Sequence, residues 1–264
     1  HGASTGRWTG KRIQPHNFPR LSLVEKQRSG ESDPEFWARA DCEIETLIQT
    51  VRTGDAELLQ LLYGDPMKAL SACLRNCIVA EPGSRLLVCD FSAIEARVLA
   101  WLAGEEWKLQ AFRDFDAGTG RDMYVLTAGE IERLTGLKAD RQLGKVAELA
   151  LGYQGGVGAF QSMAVNYGVE VPDETADIIK AAWRKAHPAI VRFWWNLQDA
   201  AIDAIEQSGP HRAGPITFYK GSRFLFCKLP SGRRLAYCDP EVREVETPVG
   251  RKKEVQFSGV CPKT

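Results

Sequence analysis

The chain has 264 residues, 34 basic against 34 acidic side chains, 44% hydrophobic and 9% aromatic content, enough for one large or two ordinary domains with real cores and too apolar for a disordered chain. No run of about 18 apolar residues exists, which excludes a transmembrane helix. The start, His1-Gly2-Ala3-Ser4, has neither an initiator Met nor an apolar signal region and reads as the start of an excised or processed piece.

Residues 1–30 are rich in Gly, Pro, Arg and Ser and read as irregular; the first 28 hold six Lys or Arg and one acid, Glu25. Residues 31–65 reverse the sign, with nine acids and two bases. Asp33-Pro34-Glu35 predicts a helix start, with Asp33 as N-cap and Pro34 at the first helical position. Helical patterning runs to about Tyr63 with a break near Gly54, and a short helix follows from Asp65 to about Cys77. Arg85 to Phe91 is an apolar run of strand length, and Cys89 inside it is expected to be a small buried hydrophobe. A helix is expected from about Ala93 to Ala103. Residues 106–137 look helical, interrupted at Gly118-Thr119-Gly120 and Gly136. Asp140 caps a further helix to about Tyr153, stopped by Gly155-Gly156. Helices are expected over 173–186 and 189–207, parted at His187-Pro188 because the residue before proline avoids helical dihedrals. From Pro210 the pattern turns to short strands at 216–219, 224–226, 234–237 and 254–257, separated by turns at Gly221, Pro230-Ser231-Gly232 and Gly250. The fold class is α+β.

Seven cysteines are scattered without a CxxC pair, and only four histidines accompany them. That disfavours a zinc site and a disulfide framework, and suits a reducing cytoplasm. Residues 210–238 hold six bases and no acid. The two basic stretches could grip a polyanion while the acidic segment faces away; solvated faces are the plain alternative.

Two constellations could carry chemistry. The first is Asp90-Phe91-Ser92-Ala93-Ile94-Glu95-Ala96-Arg97. A carboxylate between a strand and a helix is well placed for Mg²⁺, which takes one or two protein carboxylates plus substrate phosphates. Ser92-x-x-Glu95 is also the pattern of a capping box, with Asp90 then serving the turn. The second is Arg141, Lys145, Leu149 and Tyr153, four residues apart. Such steps turn about 40° each, so these side chains share an arc of roughly 120°. Two cations near a helix N-terminus, followed by an apolar residue and a ring, suit a nucleotide laid along the helix. An ordinary amphipathic helix with two exposed bases is the alternative.

Together, DxSxIExR and then RxxxKxxxφxxxY 46 residues after Glu95 resemble motifs A and B of the family A DNA polymerases, the DNA polymerase I family with its many phage members. Thr5-Gly6-Arg7-Trp8 and His16-Asn17-Phe18-Pro19-Arg20 resemble that family's TGR and QNIP-type segments. The resemblance implies a polymerase palm in part (1–103, with motif A), helical fingers (104–209, with motif B) and a β-rich return to the palm (210–264). It implies Asp90 and the Phe91 carbonyl as metal ligands for one of two Mg²⁺ ions. Ser92 and Glu95 would bind the nucleotide, Glu95 by excluding a 2′-OH. Arg141 and Lys145 would bind the triphosphate, Lys145 with a catalytic role. Leu149 would lie beside the sugar and Tyr153 near the nascent pair, while Arg7 and Asn17 would touch primer–template DNA. The implied activity is template-directed transfer of deoxynucleotides from dNTPs to a primer 3′-OH by a cytoplasmic monomer, without a membrane. Leu149 and His16 depart from the usual aromatic and Gln. No His-Asp-Glu segment with a second metal-binding aspartate follows, so the slice is expected to be an incomplete, inactive catalytic domain. A non-catalytic nucleotide- or DNA-binding module and a single-subunit RNA polymerase are the alternatives; Glu95 disfavours the latter.

Overall fold

The computed structural model describes residues 14, 15, 18, 32–87, 89–247 and 250–259, in two compact units, His1–Asp90 and Phe91–Thr264. The first unit is helical: α1 (Asp33–Arg52), α2 (Ala56–Tyr63) and α3 (Pro66–Cys73), with a 3₁₀ turn over Leu74–Cys77. Ser32, not Asp33, caps α1. Its backbone N–H and its hydroxyl both donate to Glu35 Oε2, at 2.9 and 2.7 Å. A cap at Ser32 places Glu35 at N3, the position whose side chain can reach back; a cap at Asp33 would have put Phe36 there. Asp55 accepts the N–H groups of Glu57 and Leu58, and Asp65 those of Met67 and Lys68, satisfying first-turn donors that the helices themselves leave open. Leu47, Leu59, Ala69 and Cys73 form the unit's small core.

The strand expected at 85–91 is absent among the described residues. Residues 84–87 and 89–91 are irregular, Leu86, Leu87 and Phe91 are exposed, and so is Cys89, which is not the buried hydrophobe expected of it. An apolar run becomes a strand only where a ladder accepts its backbone groups, and the sheet of this chain is built from residues 211–258.

The second unit opens with α4 (Ile94–Ala103), α5 (Glu106–Asp116), α6 (Met123–Thr135), α7 (Arg141–Leu151), α8 (Val157–Asn166), α9 (Asp173–Ala186) and α10 (Pro188–Glu206). An antiparallel meander follows: β1 (His211–Ala213), β2 (Ile216–Lys220), β3 (Phe224–Lys228), β4 (Arg234–Thr247) and β5 (Gly250–Ser258), in spatial order β1-β2-β3-β4-β5. The α10 helix is shared by two cores. Ile190 and Trp194 pack into a helical core with Ile131 of α6, Val146, Ala147, Ala150 and Leu151 of α7, Phe160 of α8 and Trp183 of α9. Phe193, Ala200, Ala201 and Ala204 pack on the inner face of the sheet, against Ala213, Ile216, Phe218, Leu225 and Cys227. Among the described residues no helix is long and apolar enough to cross a membrane.

The turn between α9 and α10 is held from a distance. Pro188 has no N–H to give, and the next two, on Ala189 and Ile190, donate to Glu105 Oε2 at 2.9 and 3.2 Å. Trp107 Nε1 donates to the Ala186 carbonyl at 2.9 Å. The start of α5 thus satisfies both ends of the corner that His187-Pro188 creates.

Candidate functional site

Asp140 caps α7, its Oδ1 accepting the Leu143 N–H at 2.8 Å. The opposite face is buried: Val146, Ala147, Ala150 and Leu151, with Leu143 partly buried against the same core. Arg141 is exposed, and Lys145 and Leu149 are half-buried. Tyr153 falls outside the helix. The α7 helix ends at Leu151 with Gly152 as its C-cap, so Tyr153 sits in the following turn, 66% exposed. The arc drawn through four helical positions therefore holds for three.

Each cation on this face has a local partner. Arg141 Nε donates to Asp122 Oδ2 at 2.6 Å, and its guanidinium lies 5.2 Å from the Tyr124 ring centre. Asp122 Oδ1 meanwhile accepts the Tyr124 N–H at 3.0 Å as N-cap of α6, so one carboxylate caps a helix and aims the arginine. The Lys145 ammonium lies 4.7 Å from the Tyr167 ring centre, a cation–π contact, with no ion pair among the described residues.

Asp90 lies in the first unit, exposed. Among the described residues no group of three His, Cys, Asp or Glu is gathered to hold a metal ion. Phe91, Ser92 and Glu95 lie in the second unit, all exposed. Ser92 is not a helix cap: α4 starts at Ile94 with Ala93 as N-cap, in the left-handed region at φ 49°. The Ser92 carbonyl instead accepts from Arg97 Nε at 2.9 Å. Arg97 also grips Asp116 with two 2.7 Å bonds and lies over the Phe112 ring, 4.4 Å from its centre. The Arg97 guanidinium holds the Asp116 carboxyl below its usual value. The DxSxIExR arginine is thus structural, tying the start of α4 to the end of α5. Arg7 and Asn17 lie outside the described residues.

Sequence reasoning missed the group behind this face. Glu148, on the buried side of α7, accepts from Lys108 Nζ of α5 at 2.5 Å, from Thr127 Oγ1 of α6 at 2.8 Å and from Trp183 Nε1 of α9 at 3.0 Å. Lys108 Nζ also donates to His187 Nε2 at 3.2 Å, and His187 Nδ1 donates to the Trp183 carbonyl at 2.7 Å. A carbonyl can only accept, so Nδ1 carries the proton and Nε2 has the free lone pair. Burial, and then the Lys108 charge, push the His187 ring down to about 4. At neutral pH it is uncharged, and its 3.5 Å approach to Glu148 is not an ion pair. Burial alone would raise the Glu148 carboxyl, but the Lys108 charge and the hydrogen bonds from Lys108 and Thr127 outweigh it and hold it below its usual value. The sequence signal was an acid among Val146, Ala147, Ala150 and Leu151, in the apolar stripe itself. Its partner lies 40 residues away, beyond the reach of any helical template. These bonds fix the rotation of α7, and so decide that Arg141, Lys145 and Leu149 face outward.

No protein-family model matches the chain, and no solved structure matches it. Among curated proteins it is 39% identical over 250 residues to the DNA polymerase of Bacillus phage SP02, a match covering 92% of this chain and 35% of that protein. It is 30% identical over 145 residues to the DNA polymerase of Mycobacterium phage D29, covering 53% of this chain and 22% of that protein. It is 34% identical over 98 residues to the DNA polymerase I of Chloroflexus aurantiacus, covering 37% and 10%. The chain spans about a third of the length of the Bacillus phage relative.

Proposed function

Because the chain belongs to the same family as the phage DNA polymerases and the bacterial DNA polymerases I that it matches, we propose that it is the part of a family A DNA polymerase that binds the incoming dNTP and one catalytic metal. Residues 1–103 and 210–264 are then parts of the palm and 104–209 the fingers. The observation that carries this reading is the face of α7, where Arg141 and Lys145 stand outward over a helix whose other side is anchored in the core.

Arg141 exchanges the Asp122 carboxylate for a phosphate, keeping the planar two-point recognition a guanidinium favours. Lys145, one turn further on and without an acidic partner among the described residues, supplies a mobile point charge to the transferred phosphoryl group. Leu149 offers the sugar an apolar contact with no hydrogen bond. Asp90 is a single exposed carboxylate without a hydrogen-bond partner among the described residues, which fits a cation that takes few protein oxygens and completes its shell with phosphate. Asp90 and the Phe91 carbonyl would hold Mg²⁺, which when bound supplies positive charge to the reacting oxygens. Glu95 lies by the sugar, where its side chain crowds a 2′-OH. Ser92 lines the same pocket, Tyr153 lies near the base, and Arg7 and Asn17 contact primer–template DNA.

Primer extension by the longer polypeptide that contains this chain tests the reading. Asp90→Ala should abolish extension and spare DNA binding. Arg141→Ala should raise KM, and Lys145→Ala should lower kcat. Glu95→Ala should raise ribonucleotide use, read as the ratio of kcat/KM values for the two sugars. Normal kinetics in both Lys145→Ala and Asp90→Ala would refute it.

A further inference from the structure

The two cations of α7 rest on partners of opposite character. Arg141 rests on an anion. Its Nε donates to Asp122 Oδ2 at 2.6 Å, and its Nη2 lies 2.5 Å from the same oxygen. The carboxylate thus takes the Nε–Nη2 edge, one of the forks through which a guanidinium binds phosphate. Asp122 cannot turn aside, because its other oxygen caps α6 by accepting the Tyr124 N–H at 3.0 Å. A phosphate arriving at Arg141 meets this fixed negative charge whichever edge of the guanidinium it takes.

Lys145 rests on a ring. Its ammonium lies 4.7 Å from the Tyr167 ring centre, and no acid pairs with it among the described residues. Tyr167 is itself held in place. It is the C-cap of α8, its N–H donating to the Ala164 carbonyl at 2.9 Å. Its own carbonyl accepts from Gln142 Nε2 of α7 at 3.4 Å, and Phe160 and Ala164 anchor α8 in the helical core. A ring face takes one side of an ammonium and leaves the N–H donors on the other side open. It brings no negative charge, so it steadies the flexible lysine stem without opposing a phosphate.

From these two contacts we infer that Asp122 and Tyr167 set the phosphate affinity of the α7 face with opposite signs. Asp122 is a resident competitor. It weakens the hold on any phosphate chain, including the pyrophosphate that nucleotidyl transfer leaves behind, and it recaptures Arg141 as that product departs. Tyr167 is a positioning residue that keeps Lys145 aimed while phosphate binds. Two bare cations would grip product phosphates as firmly as those of the substrate; a carboxylate fixed beside one of them limits that grip. The inference rests on the α7 reading given above.

Calorimetric titration of the 264-residue chain with inorganic pyrophosphate and with dTTP tests it. Asp122→Asn removes the charge and keeps the cap, since Asn caps a helix as well as Asp does. It should tighten both ligands by about threefold at low salt, the scale of an exposed ion pair. That gain should vanish in an Arg141→Ala background, and a gain in affinity cannot come from a fold that fails. Tyr167→Leu should weaken both ligands by about threefold, the scale of an exposed cation–π contact, and the loss should vanish in a Lys145→Ala background. Tyr167→Phe keeps the ring and should restore the affinity that Tyr167→Leu loses. A merely structural role would give neither the opposite signs, nor the dependence on the paired cation, nor the rescue. Shifts in the same direction, or shifts that persist once the paired cation is gone, would overturn the inference. So would unchanged affinity in Asp122→Asn and Tyr167→Leu where Arg141→Ala with Lys145→Ala abolishes binding; α7 would then remain the phosphate face, untuned by either residue. Ligands that do not bind at all, or that bind as well without both cations, would refute the α7 reading itself and this inference with it.

Discussion

Lys108 is fully buried, and so, nearly, is the Glu148 carboxylate that faces it. Desolvating two charges costs about as much as their attraction returns, so removing one partner is far worse than removing both. Lys108→Ala should therefore cost about 3–5 kcal/mol by denaturant unfolding, while Lys108→Met with Glu148→Leu should cost much less. Similar losses in the single and double variants would show the charges to be uncoupled. The same cluster sets an acid limit. Because the folded His187 ring titrates at about 4 instead of 6.5, the unfolded chain binds a proton in that window that the folded chain refuses. Stability must then fall as pH drops from about 6.5 to about 4, by about 3 kcal/mol in all. Glu148, held below its ordinary value, adds a loss in the same direction at lower pH. His187→Gln should flatten the upper part of this slope, as urea titrations at successive pH values would reveal. At this scale the sequence exposed the outward residues of α7 but not their anchor, since a buried charge is explained only by a partner that folding brings to it.

Between elements, α6 and α7 approach closely at one point. A Cβ on Gly144 would stand 2.0 Å from the Tyr124 carbonyl oxygen and 3.0 Å from the Ala128 nitrogen, both backbone atoms that cannot turn aside. Gly144→Ala should cost at least about 3 kcal/mol, at or beyond the upper end of ordinary overpacking. It should also move α7 off α6 and so impair Lys145; an unchanged melting temperature would contradict this. Helices with strong local signals were legible: Asp55, Asp65 and Asp140 each cap the helix that follows, and His187-Pro188 ends α9. The α8 helix was not. Its sequence VGAFQSMAVN holds a glycine and two valines, its N-cap is Gly156 without a side-chain hydrogen bond, and burial of Phe160 and Ala164 holds it instead. Nor was β1, three residues whose only strand credential is pairing with β2. The longer reach of β4 and β5 was hidden by charge, since their outer halves carry cross-strand charge pairs such as Glu246 with Arg251, 3.6 Å apart, and not an apolar face.

For the whole molecule, the α+β class and the order of helices before strands were legible because each segment keeps one hydrophobic period. The strand at 85–91 was misread because a strand depends on its neighbours, and an apolar run alone does not supply them. In the reading proposed above, in-line displacement would need ligands for both metal ions, and Asp90 is the one aspartate that reading assigns to them. The 264-residue polypeptide should therefore bind dNTP without extending a primer; extension would mean that another carboxylate completes the site. Asp239 is poorly suited to that part, since Arg223 clasps it through two bonds and holds its carboxyl down at about 2. The meander has one more consequence, for solubility. Among the described residues it does not close on itself: β1 and β5 lie at its ends, β5 as an edge strand of nine residues whose Lys253 carbonyl accepts from Gln198 of α10 at 3.2 Å. Arg251-Lys252-Lys253 on that strand puts charge where a second copy would have to dock, a common guard against edge-to-edge stacking. Replacing the three with Thr should leave the fold intact at low concentration and turn the strand into a template for self-association, visible as light scattering that rises with concentration and with thioflavin binding.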